Sequence, residues 1–260
     1  MKTCCRLMVM ALLLITHIAN ASEPFTQSRT SGPTVLVIAY RCNPEKRAEL
    51  REQVVKTGLV RFEEWKKQGI VKEYRILWNS YLDSETFDML ALLTFDKYSD
   101  VARWKEVERT APGGLSGDSL KLVTMAVTHS LDLVRQGASP QPSVRGKSVF
   151  FVIPYDYLVS TDEYVKYVEG YVVPQFEGWL KENVLASYRA YLSRYNTSRA
   201  WGSLIFLEYR DHDAFGLRES TVAKVRKDLQ ADPAWKALSE NKQRVRVEKQ
   251  TIIAEELVAQ

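Results

Sequence analysis

The chain has 260 residues, with 36 Lys or Arg against 32 Asp or Glu, well mixed along its length. Lys2 and Arg6 precede the first apolar run, so the remainder is near neutral and lacks the basic face with interleaved aromatics that nucleic acid would call for. Three cysteines are too few for a disulfide framework, and stability must come from a hydrophobic core.

In chain order, the apolar run of residues 7–15 is followed by Ala19-Asn20-Ala21. With Lys2 and Arg6 in front, this is the three-part layout of a secretory signal peptide. A membrane span needs about 20 apolar residues, and Thr16, His17 and Asn20 interrupt the run well before that. No cysteine follows at an acylation position. The expectation is a leader over 1–21 that is removed, a mature chain beginning at Ser22, a periplasmic or secreted location and no stable membrane insertion after cleavage. Cys42 is then the last cysteine left.

Residues 34–40 (TVLVIAY) are rich in β-branched side chains and read as a strand. Asn43-Pro44-Glu45 opens a helix that Gly69 closes. Residues 71–80 alternate, with Tyr74, Ile76 and Trp78 on one side and Glu73, Arg75 and Asn79 on the other, as a half-buried strand does. A strand over 89–95, a helix over 98–109 and a strand over 121–133 complete the order βαββαβ. The turn formers of 137–142 mark a joint. Beyond it come a strand over 147–155, a helix over 161–182 capped by Ser160 or Thr161 and kinked at Pro174, strands over 184–194 and 201–209, helices between 213 and 243 broken at Asp232-Pro233, and a last strand over 245–255.

The second set repeats the first. Phe62, Trp65, Tyr74, Arg75 and Tyr81 recur without a gap, 114 residues on, as Phe176, Trp179, Tyr188, Arg189 and Tyr195. Two βαββαβ units, each with one helix-covered face, can cover their bare faces by stacking sheet on sheet. The fold class is therefore α+β, two ferredoxin-like repeats over 22–135 and 147–260, joined by a linker at 136–146. This element order and repeat resemble the dimeric α+β barrel superfamily in a fused form, with the antiparallel sheets stacked as a pseudo-dimeric barrel. The resemblance implies one of several activities: cofactor-independent monooxygenase, haem degradation, chlorite dismutase-like haem chemistry or stress response. Fold does not choose among them.

Among individual residues, Arg75 and Arg189 occupy equivalent positions on the face away from the aromatics and are read as structural interface residues needing carboxylate or carbonyl partners. Tyr74 and Tyr188 face the helices, as core or as a pocket wall. Tyr164, Tyr167 and Tyr171 follow helical spacing, either as a packing stripe or as the aromatic wall of a ligand pocket. His129 shares an apolar strand face with Val127 and Leu131, and is either a satisfied core residue or an acid/base group or axial haem ligand. His212, between Asp211 and Asp213, reads as a turn and helix cap, with metal binding the weaker alternative. Cys42 follows a strand with nothing beside it to lower its pKa. Asn196-Thr197-Ser198 is a glycosylation acceptor only in a eukaryotic source. No phosphate loop, zinc motif or serine nucleophile motif occurs.

The leading expectation is an exported protein that binds a small apolar or planar molecule in a helix–sheet pocket, with no cofactor other than haem in contention. The alternatives are an oxidoreductase, either a cofactor-independent monooxygenase or a haem enzyme, and an assembly module that associates with itself or a partner.

Overall fold

The computed structural model describes residues 33–83, 85–141, 143–195 and 200–259. The expected leader over 1–21 and the Asn196 triplet lie outside them.

Strand β1 (Thr34–Cys42) is buried on both faces through Tyr40. A 3₁₀ turn at Pro44–Lys46 leads into α1 (Arg47–Gln53), a π-helical turn (Val54–Gly58) and α2 (Leu59–Lys67). Gly69, at φ 65°, takes the left-handed conformation that ends the helix. Then follow β2 (Glu73–Asn79), β3 (Met89–Phe95), α3 (Val101–Thr110), α4 (Gly117–Leu122) and β4 (Val123–Ala138). The short α4, capped by Ser116, has no counterpart in the expected order. Gly137 and Ala138, expected in the linker, belong to β4 and pair with Tyr188 and Ser187.

The second set begins with β5 (Val149–Tyr157) and continues through α5 (Thr161–Tyr167), a π-helical turn (Val168–Val172) and α6 (Val173–Lys181). Ser160 caps α5 by accepting from Glu163 N at 3.3 Å. The two π turns lie 114 residues apart, and the position matching Pro174 is Val60. The turn thus forms with or without proline, and Pro174 is accommodated by it instead of causing it. Next come β6 (Leu185–Ser193), β7 (Ser203–Tyr209), α7 (His212–Gly216), α8 (Arg218–Leu229), α9 (Pro233–Glu240), α10 (Lys242–Val245), β8 (Arg246–Glu248) and β9 (Ile252–Glu256). The expected last strand is therefore broken at residues 249–251, with β8 and β9 both lying against β5.

All pairings are antiparallel. β4, β1, β3 and β2 run side by side, β9, β5, β7 and β6 do the same, and the joints β2–β9 and β4–β6 close an eight-stranded barrel. The sheets expected to stack as a pseudo-dimeric barrel form a closed one, meeting along their edges as well as across their faces. Closure leaves no unpaired edge within the ring, and the length of β4, which reaches past Leu133 to Ala138, makes the β4–β6 joint.

Alternation along the strands divides the core in three. Ile38, Phe62, Tyr74, Ile76 and Trp104 pack between the first set of helices and the barrel wall. Tyr164, Tyr171, Phe176, Trp179, Tyr188 and Ile205 do so in the second. Val37, Leu90, Phe150, Val152, Leu204 and Phe206, from strands of both sets, fill the barrel itself, as expected for a barrel of this size. Among the described residues no helix is long and apolar enough to cross a membrane.

Candidate functional site

The Tyr164, Tyr167, Tyr171 stripe expected along the helix does meet the sheet, and it is more than a packing face. The spacing of three and four residues puts the three rings in a row on one side of α5 and the π turn. Tyr157 stacks on Tyr164 at 4.6 Å between ring centres, Tyr167 lies 5.1 Å from Tyr171, and Tyr171 lies 5.0 Å from Trp235 of α9. Trp235 Nε1 donates to the Tyr171 carbonyl at 3.0 Å, fixing α9 over the row.

Into this row comes Arg246, the first residue of β8. Its Cζ lies 3.9 Å from the ring centre of Tyr155, 5.4 Å from that of Tyr167 and 5.9 Å from that of Tyr171. These are cation–π distances. No carboxylate pairs with Arg246 among the described residues. Its Nη1 and the Tyr167 hydroxyl are buried without a hydrogen-bond partner there, and the Tyr164 hydroxyl faces Arg246 and Ser203. Burial pushes the phenols of Tyr155, Tyr164 and Tyr167 up, and the Arg246 charge opposes it in each case. Tyr155 Oη donates to Glu248 Oε2 at 3.2 Å, which links the interior to a carboxylate at the surface. Buried donors of Arg246 and Tyr167 without an acceptor, in an aromatic setting, suit a planar molecule bearing an anionic oxygen. Arg246, Tyr155, Tyr157 and Trp235 were not singled out in the sequence. The stretch Arg244-Val245-Arg246-Val247-Glu248 alternates charge and valine, and that alternation is the one signal that could have pointed inward.

The remaining candidates lie elsewhere. Tyr74 and Tyr188 face the helices, and their hydroxyls donate to Glu63 Oε2 at 3.2 Å and Glu177 Oε1 at 2.6 Å. His129 is 2% exposed inside the barrel, its ring 4.3 Å from that of Trp201, away from the tyrosine row. His212 begins α7, where Asp211 accepts from Ala214 N at 2.7 Å as the cap. Among the described residues no group of three or more His, Cys, Asp or Glu stands ready for a metal. The Cys42 thiol, half-buried 3.5 Å from Asp88 Oδ2, is pushed up to about 12 by burial and by that carboxylate.

Arg75 and Arg189 both point toward the barrel interior and line one cavity of about 310 Å³ at its end. Arg75 Nη1 lies 3.3 Å from Glu208 Oε1 and 3.5 Å from Glu256 Oε2. Glu208 also accepts from Ser143 and Ser187, both at 2.6 Å. Burial alone would push Glu208 up, but Arg75, the two serine hydroxyls and the Arg189 charge together hold it below the usual carboxylate range.

No protein-family model matches this chain, and no curated protein sequence does. Solved structures match it in fold. A candidate monooxygenase from Lactobacillus acidophilus superposes with a TM-score of 0.55 at 9% identity, over 87% of this chain and 95% of that one. An anthrone oxidase-like protein gives 0.54 at 12%, over 88% and 92%. A mutant chlorite dismutase from Candidatus Nitrospira defluvii gives 0.51 at 11%, over 87% and 91%. At such identities the likeness is one of fold, the α+β barrel. These neighbours do not uphold the expectation of no cofactor. At the tyrosine row the described residues bring neither His129, which packs on Trp201, nor Cys42, which packs in the first half, as a haem ligand.

Proposed function

We propose that this protein is an oxidoreductase that uses dioxygen to oxidise a planar, acidic aromatic compound in the helix–sheet space of its second half, without a resident cofactor. The observation that carries the reading is Arg246, a guanidinium held against Tyr155 with no carboxylate among the described residues and flanked by the buried hydroxyls of Tyr164 and Tyr167. Such a site stabilises a substrate anion, and an electron-rich aromatic anion is what reacts with dioxygen when no cofactor intervenes. The fold shared with a candidate monooxygenase and an anthrone oxidase-like protein supports the class. Arg246 and the two phenols bind and hold the anion. Tyr155 and Glu248 supply a path by which the proton leaves. The aromatic walls keep water away.

The same proposal takes the chain as exported, its leader 1–21 cleaved before Ser22. It also takes β1–β4 and β5–β9 as copies of one ferredoxin-like module, joined beyond Ala138. The π turns 114 residues apart and the matched Tyr74–Glu63 and Tyr188–Glu177 bonds support the duplication.

The test is oxygen uptake with anthrone, whose methylene exchanges two hydrogens for one oxygen while the other oxygen leaves as water. Catalysed uptake matched one-for-one by anthraquinone, and lost in Arg246→Met, is the expected result. Tight anthrone binding with no uptake would replace this reading with a second, that the protein sequesters its ligand. The closed packing of Trp235 over the tyrosines favours that one. Neither binding nor uptake, with size rising with concentration in light scattering, would leave the assembly module and homo-oligomer.

A further inference from the structure

We propose that the cavity at the barrel end is a second binding site, taking a small planar carboxylate with Arg189 as its counter-ion. The inference does not depend on the tyrosine row. It comes from a difference between two positions that the 114-residue spacing makes equivalent.

Arg75 and Arg189 stand on β2 and β6, on opposite sides of the same barrel end. Arg75 is paired with Glu208 at 3.3 Å and with Glu256 at 3.5 Å, the latter shared with Arg145 at 2.8 Å. The position 114 residues before Glu208 is Thr94. Glu256 pairs with Leu77 in the ladder, and Tyr191, 114 residues after Leu77, pairs with Leu133. Thus both carboxylates that serve Arg75 are replaced, on the Arg189 side, by an alcohol and an alkyl group. Thr94, Leu133 and Arg189 all line the cavity.

Arg189 accordingly makes no ion pair or hydrogen bond among the described residues, although its charge is felt by Glu208. The other charged groups at the rim are engaged: Lys72 with Asp96 at 2.5 Å, Glu73 with Lys66 at 2.8 Å. Val35, Leu92 and Leu133 give the cavity an apolar wall, and Tyr191 an aromatic one. Its 310 Å³ is at the lower end of the range for small-molecule sites, room for a compound of one or two rings. A guanidinium with free donors above an apolar wall selects a flat acid: carboxylate to Arg189, ring to Val35 and Leu92.

The experiment is calorimetric titration of the full-length Arg246→Met variant, which lacks the anion site of the tyrosine row, with 2-naphthoate, using 2-naphthamide as the neutral control. One naphthoate per chain is expected, with the amide weaker by about tenfold or more, as befits loss of a charge-assisted pair. Arg189→Met should weaken naphthoate by a similar factor and leave the amide unchanged. Thr94→Glu gives Arg189 the carboxylate that Glu208 gives Arg75, and should abolish naphthoate binding without lowering Tm. Making these substitutions on top of Arg246→Met separates this site from the tyrosine row, whose own naphthoate binding that variant has lost. Equal binding of acid and amide, no binding of the acid, or indifference to both Arg189→Met and Thr94→Glu would overturn the proposal.

Discussion

Arg246 lies with its guanidinium carbon 3.9 Å from the centre of the Tyr155 ring, in a cluster that offers it aromatic faces and no carboxylate. A group placed this way is there at some expense to stability, since desolvation of the charge is offset only by cation–π attraction of about 0.5–2 kcal/mol. Replacing Arg246 by Met removes both contributions. Calorimetric unfolding should show Arg246→Met within about 1 kcal/mol of the parent. A loss above about 3 kcal/mol would mark the guanidinium as a structural strut instead.

Glu208 supplies a pH signature. Its carboxyl is held below the ordinary glutamate range, so its contribution to stability is fully present above the unfolded value of about 4.3 and is lost as pH falls through the lower folded value. Glu208→Gln should cost about 1–3 kcal/mol at neutral pH, and the gap to the parent should narrow below about pH 4. Denaturant melts at a series of pH values measure this. A gap that widens on acidification would contradict the arrangement.

Much of the fold could be read from periodicity. The alternation of Tyr74, Ile76 and Trp78 against Arg75 assigned the two faces of β2 correctly, and the 114-residue spacing anticipated the matched π turns and Tyr–Glu bonds. Which strands close the barrel was not readable, because the β2–β9 and β4–β6 joints are edge pairings between distant strands with no local signature. β4 was cut short because Gln136-Gly137-Ala138 looks like turn chemistry, whereas the pairing with β6 holds it extended. Arg246 sits in a stretch dense with charge that reads as solvated. Only the chain's return along β5 brings it onto the tyrosines.

Gly137 is in β4 for a packing reason. A Cβ there would collide with the Tyr188 ring and come within 3.0 Å of Glu177 Oε1. Tyr188 is 1% exposed and has no room to withdraw. Gly137→Ala should therefore destabilise by about 1–3 kcal/mol. A neutral result in a denaturant melt would mean that the strand shifts freely at this point.

The Tyr74–Glu63 and Tyr188–Glu177 bonds are matched in place and unequal in setting. Tyr188, at 1% exposure with a 2.6 Å bond, has more to lose than Tyr74, at 8% with a 3.2 Å bond. Tyr188→Phe and Tyr74→Phe should each cost about 0.5–1.5 kcal/mol, the former more. Equal or inverted losses would deny the ranking.

The tyrosine site is best examined through the ionisation of a bound ligand. A hydroxyanthraquinone changes colour when its phenol ionises, so its absorbance on the protein can be followed against pH. With Arg246 and the hydroxyls of Tyr164 and Tyr167 stabilising the anion, the bound phenol should ionise at least one pH unit lower than in water, a shift of about 1.4 kcal/mol, and Arg246→Met should abolish the shift. A ligand that ionises no more readily on the protein than in water, or equally with and without Arg246, would contradict an anion-stabilising site there.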